Sequence, residues 1–252
     1  MLLKAAINGG RRPSDIATVP LTAEQIARSG AEAIAAGATV VHAHARTGSG
    51  DQTIHPNEIG AMVRAFRAAA PGAAIGTTTG LWTCSGHEER QRLIAGWPED
   101  ALPDFASVAF SEEGAAEAAE LVVSRGMVLE SAVWSLADVP ALLASSTLHR
   151  NVRILIEPED VDPVVAVAHC RSMAAALREA GVVAPLLYHG FDQTVWPVVN
   201  AAIEDGCELR IGLEDGLTLP DGSPAAGNRE LIEATRSLVA AARLADAPSL
   251  AG

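Results

Sequence analysis

Short apolar segments alternate with longer segments of helical periodicity from one end of the chain to the other. The apolar segments are almost continuous in character, which is typical of parallel strands that are covered on both faces. They predict eight strands, at residues 2–8, 38–45, 73–79, 105–110, 126–133, 153–158, 184–189 and 207–213. The segments between and after them predict helices, so that each strand is followed by a helix.

Capping residues indicate where several of these helices begin. Thr22, with Gln25 in the following turn, predicts one N-cap, and Pro56 predicts the first turn of the next helix. Asp162 stands before a proline at the start of a third helical segment, and Asn228 is predicted to cap the last one. Apolar residues follow each start at helical spacing, so each predicted helix has one face to bury.

The alternation predicts a single domain, residues 1–252, folded as an α/β (β/α)₈ TIM barrel. The 252 residues divided among eight units give about 31 residues each, which is close to the length of one βα unit. An open doubly wound sheet is the alternative with the same pattern. It is less favoured because no Gly-x-Gly-x-x-Gly motif follows the first strand and no P-loop lysine exists.

Charge and hydropathy exclude several classes of partner. The chain has 18 basic and 31 acidic residues, and its formal net charge is −13. Because no basic block offsets this charge, neither nucleic acid nor an anionic membrane surface is expected as a partner. Hydrophobic residues make up 49% of the chain, which fits a folded protein, and no apolar run approaches the roughly 18 residues of a membrane span.

Lysine and cysteine usage narrows the chemistry. Lys4 is the only lysine, and it lies early in the first predicted strand, so Schiff-base chemistry is set aside. The three cysteines, Cys84, Cys170 and Cys207, are widely spaced and odd in number, which does not fit a disulfide framework or a zinc-binding pair of CxxC type. No signal peptide is visible at the start. A reducing, cytoplasmic compartment is therefore expected.

Two histidines end the second predicted strand. His42 and His44 are two residues apart, so their side chains point to the same side of the strand. In a TIM barrel the carboxyl ends of the strands build the active site. Two imidazoles on one face are suitable ligands for zinc, iron, nickel or copper, although a hydrogen-bonded pair without metal is the simpler alternative.

The eighth predicted strand carries charges that an apolar strand does not need. Arg210 and Glu214 share one face, and Asp215 follows where the strand opens into its loop. Charges buried in such a strand are costly unless they are paired or bound to metal. Because strands 2 and 8 both flank strand 1, His42, His44 and Glu214 are predicted to converge as a metal site with open positions. The alternative is a purely structural Arg210–Asp215 ion pair.

Polar residues also stand in or after other predicted strands. Thr78, Thr79 and Gly80 end strand 3 with hydroxyls and a flexible turn that suit an oxyanion or carboxylate. Glu130 is an acid within an apolar run and needs a partner. Three further strand ends have weaker signals: the glycines of 8–11, the acidic residues 157–160, and His189, which is either a third imidazole at the barrel mouth or a hydrogen-bonded strand-end histidine.

Taken in order, these motifs resemble the β-keto acid cleavage enzymes. The resemblance rests on Asn8-Gly9-Gly10-Arg11, His42-Ala43-His44-Ala45-Arg46, Thr78-Thr79-Gly80 and Arg210-Ile211-Gly212-Leu213-Glu214-Asp215. It extends from strand 1 to the helix around Asn228, and the strand 8 motif is its most specific part. Three positions depart from the family pattern, since Ala45-Arg46-Thr47 replaces Pro-Arg-Asp and Gly216 replaces an asparagine.

The resemblance implies a zinc-dependent TIM barrel, with another divalent metal as an alternative. Such an enzyme exchanges acyl groups between a β-keto acid and acetyl-CoA, and it forms acetoacetate and a new acyl-CoA. By this resemblance His42, His44 and Glu214 hold the metal, Asp215 is the base and Arg210 orients it. A homo-oligomer, either a dimer or a tetramer, is also expected.

Further roles follow from the resemblance. Thr78 falls where the family has a residue that contacts substrate, and Glu130 falls where it has a glutamate near the catalytic pair. Four more residues are expected to bind substrate: Thr79, Gly80, Asn8 and Arg11, the last of which points to an anionic acyl side chain. A metal-dependent aldolase or hydrolase on the same barrel, or a non-catalytic ligand-binding barrel, remains as an alternative function.

Overall fold

Eight parallel strands close into a barrel in the computed structural model, which describes residues 1–245. Neighbours pair in chain order, and the eighth strand pairs with the first. The strands are β1 Leu3–Ala6, β2 Val40–His42, β3 Ala74–Thr78, β4 Phe105–Ala109, β5 Val128–Val133, β6 Asn151–Ile156, β7 Leu186–Tyr188 and β8 Glu208–Ile211. The predicted TIM barrel is confirmed and the open sheet is wrong. Residues 246–252 of the predicted domain lie outside the described residues.

A helix follows each strand and packs on the outside of the barrel. The helices are α1 Ala23–Ala36, α2 Pro56–Ala69, α3 His87–Ala95, α4 Ala115–Ser124, α5 Val139–Leu143, α6 Pro163–Glu179, α7 Val195–Glu204 and α8 Asn228–Ala245. Within residues 1–245, none of these helices combines the length and the apolar character that crossing a bilayer requires.

Seven of the eight strands are shorter than predicted, at one end or both, whereas β6 keeps its predicted length and begins and ends two residues earlier. The second was predicted to continue to residue 45 but ends at His42. The pairing with a neighbouring strand ends there because the backbone N–H and C=O of His44 both bond to the side chain of Asn8, each at 2.9 Å. The chain that follows β2 thus becomes a loop whose position is fixed by a side chain of the loop after β1.

Two of the predicted caps are confirmed and one is wrong. Thr22 accepts from the backbone of Gln25 at 3.2 Å within a capping box, and Asp162 accepts from the first turn of α6 at 2.9 Å. Asn228 does not cap α8, because its Oδ1 accepts from the backbone of Leu213 at 2.8 Å and its Nδ2 donates to Ile7 O at 2.8 Å. It joins the start of α8 to the ends of β1 and β8 instead.

Strand register determines which side chains enter the barrel. Val41 lies beside Gly30 of α1 in the apolar layer between strands and helices, so the next residue, His42, points into the barrel. Lys4 of β1 pairs in register with Arg210 of β8. Both side chains are buried within the barrel, and the mouth above them receives the loops that follow β2, β3, β5, β6, β7 and β8.

Candidate active site

Two imidazoles and one carboxylate converge at the mouth of the barrel. The Nε2 atoms of His42 and His44 are 3.0 Å apart, and the Glu214 oxygens lie 3.4 Å from Nε2 of His44 and 3.9 Å from Nε2 of His42. One ligand atom from each residue lies within 4.8 Å of the others. The predicted convergence of strands 2 and 8 therefore occurs in the structure.

This cluster fits a divalent metal ion. Oε2 of Glu214 is buried and has no hydrogen-bond partner, although a buried carboxylate oxygen needs one. Burial lowers the pKa of His42 and that of His44, so both rings are neutral, as metal ligands must be. Two neutral imidazoles and a carboxylate are a ligand set that zinc accepts with open positions.

A glutamine outside the cluster fixes the orientation of His44. Oε1 of Gln52 can only accept, so Nδ1 of His44, 2.5 Å away, must donate to it. This bond leaves Nε2 of His44 unprotonated and facing His42 and Glu214. The same oxygen accepts from Nε1 of Trp82 at 3.2 Å. No sequence pattern pointed to Gln52, because it lies in the loop before α2 and belongs to no motif.

The carboxylate after Glu214 is bound by two cationic side chains. Arg210 donates to Oδ1 of Asp215 from Nε at 3.1 Å and from NH2 at 3.0 Å, and its NH2 is 2.5 Å from Glu214. Burial alone would raise the pKa of Asp215. The positive charges of Arg210 and His189 outweigh burial, so the pKa of Asp215 lies below its ordinary value. Asp215 is therefore ionised although it is fully buried.

His189 lies between two carboxylates. Its Nε2 is 2.8 Å from Oδ1 of Asp215 and its Nδ1 is 3.2 Å from Oε1 of Glu157. Burial and the nearby Arg210 lower the pKa of His189, but the two carboxylates have the larger effect and raise this pKa to about 9. The pKa of Glu157 is about 2, since His189 and Arg210 outweigh the effect of its burial. Trp134 holds the other oxygen of Glu157 at 3.2 Å.

These groups surround one cavity of about 680 Å³ at the mouth. Among the predicted site residues, the ones that line it are His42, His44, Thr78, Arg210 and Glu214. The cavity is also lined by residues to which the sequence analysis assigned no definite role, among them Trp82, Trp134, Glu157 and His189. Asp215 is not part of the lining, because it is fully buried behind Arg210 and His189, which both contact its Oδ1.

The remaining predicted substrate-binding residues lie around the cavity and make contacts within the protein. Asn8 holds the His44 backbone, as described above, and Thr79 donates to the carbonyl of Ser107 at 2.8 Å. Gly80 donates its N–H to the hydroxyl of Thr78 at 3.0 Å. Arg11 forms an ion pair with Asp192, and its guanidinium lies 4.5 Å from the ring centre of Phe191.

Glu130 lies deeper in the barrel than the other predicted site residues. Its carboxylate is fully buried and pairs with Nζ of Lys4 at 2.5 Å and with Arg153. Arg153 in turn pairs with Glu208 at 2.5 Å. The partners that this acid required are therefore Arg153 and Lys4, the only lysine of the chain. Lys4 is fully buried beneath the mouth, and its burial lowers its pKa.

Comparison with known proteins agrees with the site. The family model of the beta-keto acid cleavage enzymes matches residues 1–247. The 3-keto-5-aminohexanoate cleavage enzyme of Acetoanaerobium sticklandii is 26% identical over 253 residues, which is 92% of this chain and 89% of that protein. The enzyme of the same name from Fusobacterium nucleatum is 24% identical over 249 residues, with the same coverage of 92% and 89%.

Solved structures with the same barrel include two of ObcA. Its ternary complex with a C4-CoA adduct and oxalate superimposes with a TM-score of 0.74 at 17% identity over 89% of this chain. Its binary complex with oxaloacetate gives a TM-score of 0.73 at 18% identity over 88% of this chain. This chain spans only 63% to 64% of the length of ObcA. At this identity the likeness concerns the fold.

Proposed function

The chain belongs to the β-keto acid cleavage enzyme family, and we propose that it transfers the acyl group of a β-keto acid to coenzyme A by a retro-Claisen reaction. Acetyl-CoA is the second substrate, and the products are acetoacetate and a new acyl-CoA. The observation that carries the proposal is the convergence of the His42, His44 and Glu214 cluster with the Arg210–Asp215 pair at one end of the barrel.

His42, His44 and Glu214 would hold the divalent ion, zinc by the nature of the ligand set, and the ion supplies a Lewis acid that polarises the keto group. The chain itself prepares this position. Gln52 fixes the ring of His44, and Asn8 fixes its backbone. Asn8 thus acts in substrate binding by placing a ligand rather than by touching the substrate.

Asp215 is the base that removes a proton from C2 of the β-keto acid. Its low pKa keeps it ionised, and Arg210 fixes both of its oxygens. Arg210 itself lines the cavity, and Asp215 lies directly behind it, so the base stands next to the position of the substrate. Glu130 lies deeper in the barrel, where it forms an ion pair with Lys4 and so holds this buried cation close to Arg210.

The rim of the cavity binds the rest of the substrate. Thr78 lines the cavity with its hydroxyl, while Thr79 and Gly80 hold the turn that carries it. Arg11 is engaged with Asp192, a residue of the cavity wall, so its role is to hold that wall in place. We place the enzyme in the cytoplasm as a homodimer or homotetramer, which light scattering of the purified protein would measure.

The most direct experiment is a screen for acyl transfer. Purified, metal-loaded protein is incubated with acetyl-CoA and a panel of short, amino-substituted, acidic and hydrophobic β-keto acids, and the CoA esters are identified by mass spectrometry. A new acyl-CoA together with acetoacetate is the expected result. Cleavage of the keto acid without acetyl-CoA would instead show an aldolase or hydrolase, and no turnover of any member would favour a ligand-binding barrel.

Metal analysis tests the site independently of turnover. We expect close to one divalent ion per chain in the wild-type protein, and loss of most of it in His42→Ala and in Glu214→Ala. His149→Ala removes an exposed histidine outside the cavity and serves as the matched control. Full metal content in both site variants would contradict the assignment.

A further inference from the structure

His189 stands between the cavity and the buried carboxylate of Asp215. It lines the cavity, whereas Asp215 behind it is fully buried and lies 2.8 Å from its Nε2. Its Nδ1 faces Glu157, which also lines the cavity, at the longer distance of 3.2 Å. Both ring nitrogens are buried, and neither meets its carboxylate in hydrogen-bonding geometry. The Nδ1 proton is therefore not held by a hydrogen bond, and it lies on the side of the ring toward another cavity residue.

The sulfur of coenzyme A is the one reacting atom to which no residue has been assigned so far. Asp215 handles the proton of C2, whereas the sulfur leaves the acetyl group as a thiolate and later attacks as a thiolate. A group that lends it a proton between these two steps would keep it neutral inside the cavity. Of the described residues that line the cavity, His42 and His44 are committed to the metal and Arg210 does not release a proton in proteins. The carboxylates accept protons at neutral pH rather than donate them. The hydroxyls of Thr78 and Ser107 and the tryptophan N–H groups of the lining are far too weakly acidic to serve. Among the described lining residues, this leaves His189 as the side chain whose proton can be exchanged near neutral pH.

Resting on the proposed function, we propose that His189 is the acid–base catalyst for the sulfur of coenzyme A. In the first half of the reaction, Asp215 takes the C2 proton and the carbanion attacks the thioester carbonyl of acetyl-CoA. A carbon–carbon bond forms, the carbon–sulfur bond breaks, and the electron pair goes to sulfur, which takes the Nδ1 proton of His189.

The second half restores both residues. Neutral His189 takes the thiol proton back while the sulfur attacks the original keto carbonyl. A carbon–sulfur bond forms and the bond between this carbon and C2 breaks. The electron pair goes to C2, which receives its proton from Asp215 and leaves as acetoacetate. Each proton that is moved is returned, so the cycle needs no further reactant.

The surroundings of His189 suit this role. An ordinary thiol has a pKa of about 8.5, and proton transfer is most efficient between groups of similar pKa. The two carboxylates raise the pKa of His189 to about 9, so it is protonated at neutral pH and close to a thiol in acidity. Trp134 holds Glu157 through its other oxygen, so the acceptor beside Nδ1 stays in place.

The two halves of the reaction can be separated experimentally. Exchange of the C2 protons into deuterated water requires Asp215 and the metal site but no coenzyme A, so it is followed by NMR with the keto acid alone. Acyl transfer is measured with acetyl-CoA added. In His189→Gln we expect metal content and enzyme-dependent exchange to remain within about threefold of wild type, and acyl transfer to fall by roughly 10²–10⁴-fold. His149→Gln is the control and should change neither.

Glu157→Gln provides a second variant that leaves the imidazole in place. It should keep exchange and lose acyl transfer to a smaller extent, because the acceptor beside Nδ1 is weakened. Acyl transfer at wild-type rate in His189→Gln would overturn the proposal, as would a parallel loss of exchange and transfer, which would mean that His189 only positions Asp215. Absence of both activities in the wild type would overturn the proposed function and this proposal with it.

Discussion

Replacing Lys4 by methionine tests how much the charges inside the barrel contribute to its stability. Lys4 and Glu130 are both fully buried, and their pair is 2.5 Å long. Methionine has a similar length but no charge, so Lys4→Met leaves the Glu130 carboxylate with Arg153 alone. Removing one partner of a buried ion pair costs about 3–5 kcal/mol. Because Arg153 still compensates part of the charge, we expect the lower end of that range, about 3 kcal/mol.

The assay is urea and thermal unfolding of Lys4→Met beside wild type. For a domain of this size, about 3 kcal/mol lowers Tm by roughly 6–12 °C. The double variant Lys4→Met/Glu130→Leu should recover much of the loss, since it leaves no unpaired carboxylate. Arg64→Ala is the surface control: its pair with Asp100 is exposed, so it should cost about 0–1 kcal/mol. A Lys4→Met protein as stable as Arg64→Ala, or a double variant less stable than the single one, would refute the reasoning.

Three further expectations concern the site. Asp215→Asn should keep its metal and lose roughly 10²–10⁴-fold in turnover, whereas a large fall in Tm with normal turnover per folded molecule would indicate a structural ion pair. Gly212→Ala should fail to give soluble barrel, because its Cβ would lie 1.8 Å from the carbonyl oxygen of Ala6, and Gly48→Ala, with nothing within 4 Å, should be tolerated. The pKa of His189 is raised to about 9 in the folded protein, so its protonation stabilises the fold below the unfolded pKa, and this stability is lost as pH rises through about 9. Between about pH 6.5 and 9, chemical unfolding should therefore show wild type losing stability relative to His189→Gln. Parallel pH curves for the two proteins would count against this expectation.

The fold and the metal cluster were predictable because both follow from local periodicity. Apolar runs of strand length gave the eight strands, and the two-residue period placed His42 and His44 on one face. The closure of the barrel then put strands 2 and 8 on either side of strand 1, which brings Glu214 to the histidines. Strand ends were less predictable, since β2 ends where the side chain of Asn8 replaces the neighbouring strand as hydrogen-bond partner.

Pairings across the barrel and between loops were not predictable from the sequence. The period of a strand gives the face of a residue but not its partner across the barrel, so nothing indicated that Lys4 would meet Glu130. Arg11 suggested an anionic substrate, but the loop after β7 brings Asp192 to its guanidinium. Polar residues after strands 6 and 7 were a real signal, because Glu157 and His189 form part of the cavity. The contacts of His189 with Asp215 and of Glu157 with Arg210 were not predictable, because they depend on how the loops after β6, β7 and β8 fold together.

Labelled acetyl-CoA gives the most direct test of the central claim, which is acyl exchange between a β-keto acid and coenzyme A at the barrel mouth. The enzyme is supplied with an accepted β-keto acid and acetyl-CoA carrying ¹³C in both acetyl carbons, and both products are analysed by mass spectrometry and NMR. Acyl exchange places the label in the methyl and keto carbons of acetoacetate and leaves the new acyl-CoA unlabelled. Label recovered as free acetate, or keto acid cleaved while the label remains in acetyl-CoA, would contradict the account.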